Sequence, residues 1–258
     1  MTKILTLAAI VALGAGAIFA APAMAQQKTI KLGTEGAYKP FNYIDASGKV
    51  QGFDIEIGDA LCAKMNVKCE WVTQDWDGII PALLVKKFDA IIASMSITDE
   101  RKKSVDFTER YYFTPAQFIA KKGVTFTATP EGLKGKSVGV QRATIHENYL
   151  EQKYKGIVTV KYYDTQENAN LDLANGRLDA VLADSTVLLD FLNSPEGKDF
   201  ANLGAPIVDP AIFGTGAGIA IRKGDNELRE AFNKALKDIT DDGTYKKIND
   251  KYFPFSIR

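Results

Sequence analysis

The stretch Ser94-Met95-Ser96-Ile97-Thr98-Asp99-Glu100-Arg101 follows an apolar run at residues 90–93 and precedes a helical pattern that begins near Thr98. The apolar run is typical of a buried strand, so the stretch is a strand-to-helix junction. The guanidinium of Arg101 can bind a carboxylate through two parallel hydrogen bonds, and N–H groups at a helix start also attract anions. The junction predicts either a clamp for the carboxylate of a small ligand or a simple Thr98 N-cap beside a solvated arginine.

Two series of strand, polar loop and helix extend outward from this junction and indicate an α/β fold. The first series contains predicted strands at residues 29–32, 69–72 and 88–93, and the second begins with a strand at residues 136–140. In open α/β sheets, ligands bind at the carboxyl ends of the strands. The loops that follow the strands are therefore the candidate site segments.

In the first series these loops contain one carboxylate and two aromatic residues. Glu35 and Tyr38 lie in a loop marked by Gly36 and Pro40, and Trp76 follows the next strand. Their positions predict that Glu35 and Tyr38 face a cleft, although both could be ordinary solvent-facing loop residues. Trp76 is either an aromatic wall for a ligand or a lid packed on the core.

In the second series the predicted loop after the first strand contains Gln141 and leads to Thr144. The spacing of Thr144 and Glu147 fits a capping box, which predicts a second helix N-terminus able to accept an anion. Asp184 ends a later strand, at the position that Ser94 has in the first series. His146 falls in the first turn of the capped helix, where a lone histidine is more often a surface or capping residue.

Several other features receive structural interpretations. Asp54 and Glu56 begin a predicted helix, and an acidic first turn that complements the helix dipole explains them better than a catalytic pair does. The glycine-rich residues 213–218 lack the spacing of a phosphate loop or a dinucleotide fingerprint. We find no nucleophile-elbow or zinc motif in the sequence.

The N-terminal residues 1–25 have the pattern of a secretory signal peptide. Lys3 precedes an Ala-rich apolar segment, and Ala23-Met24-Ala25 forms a small-x-small cleavage site. A retained membrane anchor is the alternative interpretation. No later segment reaches the roughly 20 apolar residues that span a bilayer, so we expect an exported, soluble chain that begins at Gln26.

Charge and residue counts exclude several function classes. Lys+Arg and Asp+Glu number 32 each, and removal of Lys3 with the signal peptide leaves one excess negative charge. Without a basic block, nucleic acid and anionic membranes are poor partners. With a single histidine, a metal site of several His or Cys ligands is not expected, and no cofactor is predicted.

Cys62 and Cys69 are the two cysteines of the chain. An even count in an exported protein favours a disulfide, which would join the end of a helix to the next strand. The alternative is two free buried thiols.

The ordered series of motifs resembles the periplasmic solute-binding proteins of polar amino-acid ABC importers, and among them the lysine/arginine/ornithine- and histidine-binding subgroup. The likeness covers nearly the whole mature chain, and the two cysteines match a disulfide of that subgroup. The motifs that carry it are Gly33-Thr34-Glu35 with Tyr38 and Pro40-Phe41, Gly52-Phe53-Asp54, Asp77 with Pro81, residues 94–101, Gly135-Lys136 with Val138-Gly139-Val140, Gly176-Arg177 with Asp179-Ala180, and Asp242-Gly243-Thr244-Tyr245.

The resemblance implies an α/β, two-lobed periplasmic-binding-protein fold of type II-like topology, hinged by two crossover segments. Lobe 1 would comprise residues 26–114 and 209–258, and lobe 2 residues 115–208, with crossings near 113–115 and 208–210. It further implies a monomeric, non-enzymatic periplasmic receptor that delivers an amino acid to the membrane subunits of an ABC permease.

The resemblance also assigns ligand-binding roles. Arg101 would bind the α-carboxylate, helped by backbone N–H groups near Thr144. Asp184, with groups of Ser94 and Ser96, would bind the α-ammonium.

Three further members of the expected ligand-binding set lie around the ligand side chain. Tyr38 and Trp76 would flank it, with a cation–π attraction on the order of 1–2 kcal/mol for a desolvated cation. Glu35 stands where the subgroup commonly has an aspartate that reaches the distal cation, and the longer side chain suggests a different pocket depth. Met95 and Gln141 complete the set.

Departures from the subgroup pattern leave the ligand open. Ala93 and Ala143 replace a usual serine and glycine, and His146 differs from the basic-amino-acid pattern. The expected ligand is a cationic L-amino acid, namely arginine, lysine, ornithine or histidine, and the second hypothesis is an opine or another polar amino acid. Two further hypotheses are a cyclohexadienyl-dehydratase-like enzyme, with Glu35 or His146 as general acid or base, and a sensory receptor.

Overall fold

The computed structural model describes residues 28–258, so the predicted signal peptide lies outside the described residues. Within this range the chain forms thirteen strands and nine α-helices. The strands are β1 (Thr29–Thr34), β2 (Ala37–Tyr38), β3 (Asn42–Ile44), β4 (Val50–Gln51), β5 (Lys68–Thr73), β6 (Ala90–Ile91), β7 (Val105–Tyr112), β8 (Ala116–Lys121), β9 (Ser137–Gln141), β10 (Thr159–Tyr163), β11 (Ala180–Asp184), β12 (Phe200–Ile207) and β13 (Ala217–Arg222). The helices are α1 (Phe53–Lys64), α2 (Ile79–Leu84), α3 (Asp99–Lys102), α4 (Ile145–Lys153), α5 (Gln166–Ala174), α6 (Ser185–Leu192), α7 (Pro210–Phe213), α8 (Asn226–Asp241) and α9 (Thr244–Tyr252).

The first five-stranded sheet has the order β5-β1-β6-β13-β7. Strand β1 runs parallel to β5 and β6, whereas β13 runs antiparallel to β6 and β7. One face packs against α1, α8 and α9 through a cluster that includes Phe53, Leu61 and Phe232, and the other packs against α2 through Ile79 and Leu83. Burial of each such side chain contributes about 1.5–3 kcal/mol, so this sheet has its own core.

The second five-stranded sheet has the order β10-β9-β11-β8-β12. Strand β9 is parallel to β10 and β11, and β8 is antiparallel to β11 and β12. Leu150 of α4 packs with Phe118 on one face, and Leu173 and Leu188 of α5 and α6 pack on the other. Because each sheet has separate apolar clusters, the predicted two-lobed α/β architecture is confirmed.

Two connections join the sheets, at residues 113–115 between β7 and β8 and at residues 208–216 between β12 and β13. In the second, Ile212 and Phe213 of α7 pack into the core of the second sheet. Gly214 follows with φ of 76°, and a Cβ there would lie 2.1 Å from the carbonyl oxygen of Ile97, so glycine is required. We propose that these connections separate lobe 1 (26–114 and 209–258) from lobe 2 (115–208), with α7 docked on lobe 2.

Several elements differ from the sequence-based expectation. Strand β6 ends at Ile91 rather than near residue 93, because the chain bends at Ser94, whose φ is 55°. The helix after Thr98 is the single turn α3. The small sheet β2-β3-β4 and the edge strand β12 were not predicted, since the former has strands of two or three residues and the latter is mostly half-buried or exposed.

The predicted disulfide is confirmed. It joins Cys62 near the end of α1 to Cys69 in β5, with the Cα atoms 6.0 Å apart and a sequence separation of seven residues. Among residues 28–258, no helix combines the length and the apolar character that a membrane crossing would need.

Removal of the disulfide should destabilise the protein by a loop-closure term. For a loop this short, the free energy of unfolding should fall by about 2–3 kcal/mol in the Cys62→Ala/Cys69→Ala double variant. Urea unfolding monitored by circular dichroism measures the change. Dithiothreitol should destabilise the wild type and leave the double variant unaffected, and equal unfolding midpoints for the two proteins would contradict the prediction.

Candidate ligand-binding site

A small, largely filled cavity lies between the two lobes, at the carboxyl ends of strands from both sheets. Nine of the ten predicted site residues line it: Glu35, Tyr38, Trp76, Ser94, Ser96, Arg101, Gln141, Thr144 and Asp184. The tenth, Met95, does not, because successive residues of an extended chain point to opposite sides and its side chain is buried in the apolar cluster around Ile79.

Ser94 forms part of the lobe 1 wall in a left-handed conformation that is uncommon for a residue with a side chain. Its hydroxyl donates to Asp54 Oδ2 at 3.0 Å, and its backbone N–H donates to the Tyr111 hydroxyl at 3.1 Å. Both partners are fully buried. The two bonds hold the bend at the point where β6 ends and the cavity begins.

Asp54 is the centre of a buried hydrogen-bond network that the sequence interpretation missed. Its carboxylate accepts from Tyr111 Oη at 2.7 Å and from Asn42 Nδ2 at 2.9 Å, in addition to Ser94. Asn42 Oδ1 in turn accepts from the backbone N–H of Gly36 at 2.8 Å. Asp54 thus connects Ser94 to the loop that carries Glu35. Burial outweighs these hydrogen bonds and raises the pKa of Asp54 to about 6.

Arg101 lies against the cavity rather than in open solvent. Its guanidinium donates to the Ser96 carbonyl at 3.0 Å and stacks on Trp76, with 5.1 Å between its central carbon and the ring centroid. The predicted cap also forms, because Thr98 Oγ1 accepts from the Arg101 N–H at 3.2 Å. Burial lowers the pKa of Arg101 to about 10. Helix α3 is a single turn, so it does not supply the anion-binding helix terminus expected there.

The lobe 2 wall contains the N-terminus of α4. Thr144 Oγ1 accepts from the Glu147 N–H at 3.2 Å and donates to the Gln141 carbonyl at 2.7 Å. The Glu147 carboxylate accepts from the backbone N–H of Ala143 rather than from that of Thr144, so the predicted capping box forms only in part. The first-turn N–H groups of a helix lack intrahelical acceptors, and those of α4 lie at the cavity wall.

Glu35 is buried between the lobes without a cationic partner. Its Oε1 accepts from Gln141 Nε2 at 2.5 Å, and the ion pairs formed within residues 28–258 do not include Glu35. Burial raises the pKa of Glu35 to about 7, and the charge of Asp75 acts in the same direction. A cation beside Glu35 would restore its carboxylate form.

Asp184 is the second carboxylate of the cavity. Its Oδ2 accepts from Tyr38 Oη at 2.6 Å, and its Oδ1 accepts from Thr114 Oγ1 at 3.1 Å. Although Asp184 precedes α6, its side chain does not cap that helix. Among the described residues, no three His, Cys, Asp or Glu side chains are arranged to hold a metal ion.

His146 is not the surface or capping residue that the sequence favoured. Its side chain is 4% exposed, lines the cavity and lies beside the ring of Phe213 at 5.8 Å between centroids. Burial lowers its pKa. The signal that could have located it is its position two residues after the Thr144 cap, which turns it toward the same wall.

Four hydrogen bonds cross the cleft, in addition to the one from Thr114 in the first connection to Asp184. Two run from Glu35 to Gln141 and from Tyr38 to Asp184. The other two end on one acceptor, the carbonyl oxygen of Ala143, which receives Trp76 Nε1 at 3.0 Å and the Arg101 guanidinium at 3.4 Å. The structure is therefore a closed form in which both lobes share the cavity.

Comparison with known proteins confirms the resemblance found in the sequence. Residues 30–255 match the model of the bacterial extracellular solute-binding proteins, family 3. An L-arginine-binding protein of Pseudomonas aeruginosa is 47% identical over 243 residues, 93% of each chain, and the lysine/arginine/ornithine-binding periplasmic protein of Escherichia coli is 44% identical over 233 residues, 89% of each chain. The solved structure of an ancestral arginine-binding protein bound to arginine has a TM-score of 0.82 and 40% identity, and covers 88% of this chain and 99% of that chain.

Asp54→Asn should lower the free energy of unfolding at pH 7 by about 1–3 kcal/mol, because an amide group offers one acceptor atom where three buried donors converge. Urea denaturation gives the value. Asp59→Asn makes the same change on the exposed side of α1 and should cost less than about 0.5 kcal/mol. Equal losses in the two variants would contradict the role of the network.

The raised pKa of Asp54 predicts a specific dependence of stability on pH. The folded-state pKa of about 6 lies above the ordinary value of 3.8, so the folded protein binds this proton more tightly. The resulting stabilisation is fully present below pH 3.8 and is lost as the pH rises through 6. Between about pH 4.5 and about pH 7.5, the free energy of unfolding should fall by about 2 kcal/mol more in the wild type than in Asp54→Asn. Parallel pH profiles would contradict this assignment.

Proposed function

The chain belongs to family 3 of the bacterial extracellular solute-binding proteins, and on this premise we propose that it binds a cationic L-amino acid between its lobes. Arginine, lysine and ornithine are the ligands of this class. The proposal brings to this chain what the names of its relatives state for those proteins.

The observation that carries this proposal is the charge balance of the cavity. Arg101 is the one Lys or Arg side chain among its lining residues, whereas Glu35 and Asp184 supply two carboxyl groups. The burial of His146 favours its neutral form. An unpaired buried charge is costly, so the complementary ligand bears one negative and two positive groups. A basic amino acid has this set of charges.

In this arrangement the carboxylate of the ligand lies at Arg101 and the first turn of α4. Its α-ammonium lies at Asp184, and its distal cation lies at Glu35. Tyr38 and Trp76 bound the path of the side chain between these ends. The two carboxyl groups are held by different lobes, so a ligand that contacts both stabilises the closed form over an open one.

We further propose that the protein acts in the periplasm as a monomer and delivers its ligand to the membrane subunits of an ABC importer. The name of the Escherichia coli relative describes a periplasmic protein. We propose no catalytic role, because both named relatives are binding proteins and because Glu35, a candidate general acid or base, has a binding assignment.

A comparison of arginine with its neutral isostere citrulline tests the charge assignment. The wild type should bind arginine more tightly than citrulline. Glu35→Gln should weaken arginine binding about 10- to 200-fold, the equivalent of 1.5–3 kcal/mol for a charge-assisted hydrogen bond, and change citrulline binding little. Isothermal titration calorimetry at about pH 7.5 measures both affinities.

The exposed Glu131→Gln substitution is the matched control and should leave both affinities unchanged. Lysine, ornithine and octopine complete the panel, with octopine representing the opines. If no cationic amino acid binds to the wild type, the proposed function is wrong. If Glu35→Gln weakens arginine and citrulline equally, the position of the distal cation is wrong.

A further inference from the structure

His146 contains a buried polar atom that the protein itself leaves without a partner. Among residues 28–258, no hydrogen-bond partner is found for its Nε2 atom. The nearest carboxylate oxygen, Asp184 Oδ1, is 3.8 Å away, which is beyond the limit of about 3.2 Å for a good N–H···O bond. Since buried polar groups are almost always hydrogen-bonded, an unpartnered atom on a cavity wall indicates a place for a ligand group.

Asp184 Oδ1 has capacity for a second hydrogen bond. It accepts one bond, from Thr114, and a carboxylate oxygen offers two acceptor sites. A nitrogen at the usual distance of about 2.9 Å from both Oδ1 and Nε2 would lie about 2 Å off the line that joins them. The gap between the two atoms therefore suits one shared donor.

We propose that His146 Nε2 and Asp184 Oδ1 are paired acceptors for the α-ammonium group of the bound ligand, and that a proton on His146 competes with this group. This inference rests on the proposed function, because it names a further residue of the same site. An ammonium group has three donors and no acceptor, so it can serve both atoms at once. Protonated His146 presents an N–H and a positive charge at the same place.

The groups around His146 favour its neutral form in the closed protein. Burial is the largest effect and lowers the pKa of His146. The charge of Asp184 acts in the opposite direction, and the charge of Arg101 on α3 lowers the pKa further. Tyr38 is hydrogen-bonded to Asp184, and Phe213 of α7 and Thr114 of the first connection bring no charge to the ring. Nε2 accepts when the imidazole proton lies on Nδ1, and this tautomer is part of the proposal.

The proposal predicts that ligand binding and protonation of His146 oppose each other. A bound ammonium group holds His146 neutral, so the pKa of His146 should be lower in the complex than in the ligand-free protein. Below the ligand-free pKa, binding then displaces the proton of His146. The factor by which protonation of His146 raises the dissociation constant should therefore increase about tenfold for each unit that the pH falls below this ligand-free pKa.

The chain contains one histidine, so NMR reads this titration without ambiguity. The Cε1–H resonance of the wild type is followed from about pH 5 to about pH 8 in the absence of ligand and in the presence of saturating arginine. We expect the midpoint to fall by at least about one pH unit when arginine is bound. An unchanged or raised midpoint would overturn the inference.

Arginine binding at about pH 8, where His146 is neutral, is measured first. Failure to bind there counts against the proposed function, whereas binding without a change in the His146 midpoint counts against this inference alone. His146→Gln retains a neutral acceptor that does not titrate. The titration of Glu35 contributes to both proteins, so arginine affinity should fall more steeply with decreasing pH in the wild type, approaching an additional factor of about tenfold per pH unit below the ligand-free midpoint that NMR gives for His146. Equal slopes would again overturn the inference.

Discussion

The carboxylate of Asp54 is the constraint on which the lobe 1 half of the cavity depends. It receives hydrogen bonds from three side chains that come from three separate parts of the chain, and all three donors are buried. The hydrogen bond from the Ser94 hydroxyl holds Ser94 in its left-handed turn. Asn42, a second donor, also fixes the loop of Glu35, because its side-chain oxygen accepts from the N–H of Gly36. The wall is therefore preorganised before any ligand arrives, which reduces the ordering that binding would otherwise require.

Closure of the lobes brings together groups that do not neutralise one another. Glu35 and Asp184 face the cavity with a single guanidinium, that of Arg101. In a low-dielectric cavity such an excess of negative charge opposes closure. A ligand with the complementary charges would remove this opposition. Under the proposed function, the same groups then provide both selectivity and the difference in affinity between open and closed forms.

The sequence predicted the parts of the fold that depend on hydrophobic periodicity and on capping. Strands β1, β5 and β9 and the Thr98 and Thr144 caps were expected, because each depends on local patterning. The disulfide was expected from the even number of cysteines in an exported chain. The edge strand β12 and the small sheet β2-β3-β4 were missed, since pairing across a sheet leaves little trace in the sequence of short or half-exposed segments.

The site was predicted less completely than the fold. Nine of ten expected residues line one cavity, but this set came from a resemblance to a family rather than from periodicity. Asp54 was interpreted by its position in a helix turn, and His146 by the usual exposure of such residues. In both cases burial, which depends on distant parts of the chain, decides what the side chain does.

The shared acceptor at Ala143 has an evolutionary consequence. Trp76 and Arg101 bond to its backbone carbonyl, so exchange of the side chain at this position leaves the acceptor in place, provided that the new residue tolerates a positive φ. Glu35, which we propose to bind the distal cation, does not bond to this carbonyl; its partner across the cleft is Gln141. A substitution at Glu35 can therefore alter ligand preference while the two hydrogen bonds to Ala143 remain, and one scaffold can diversify into receptors for different solutes.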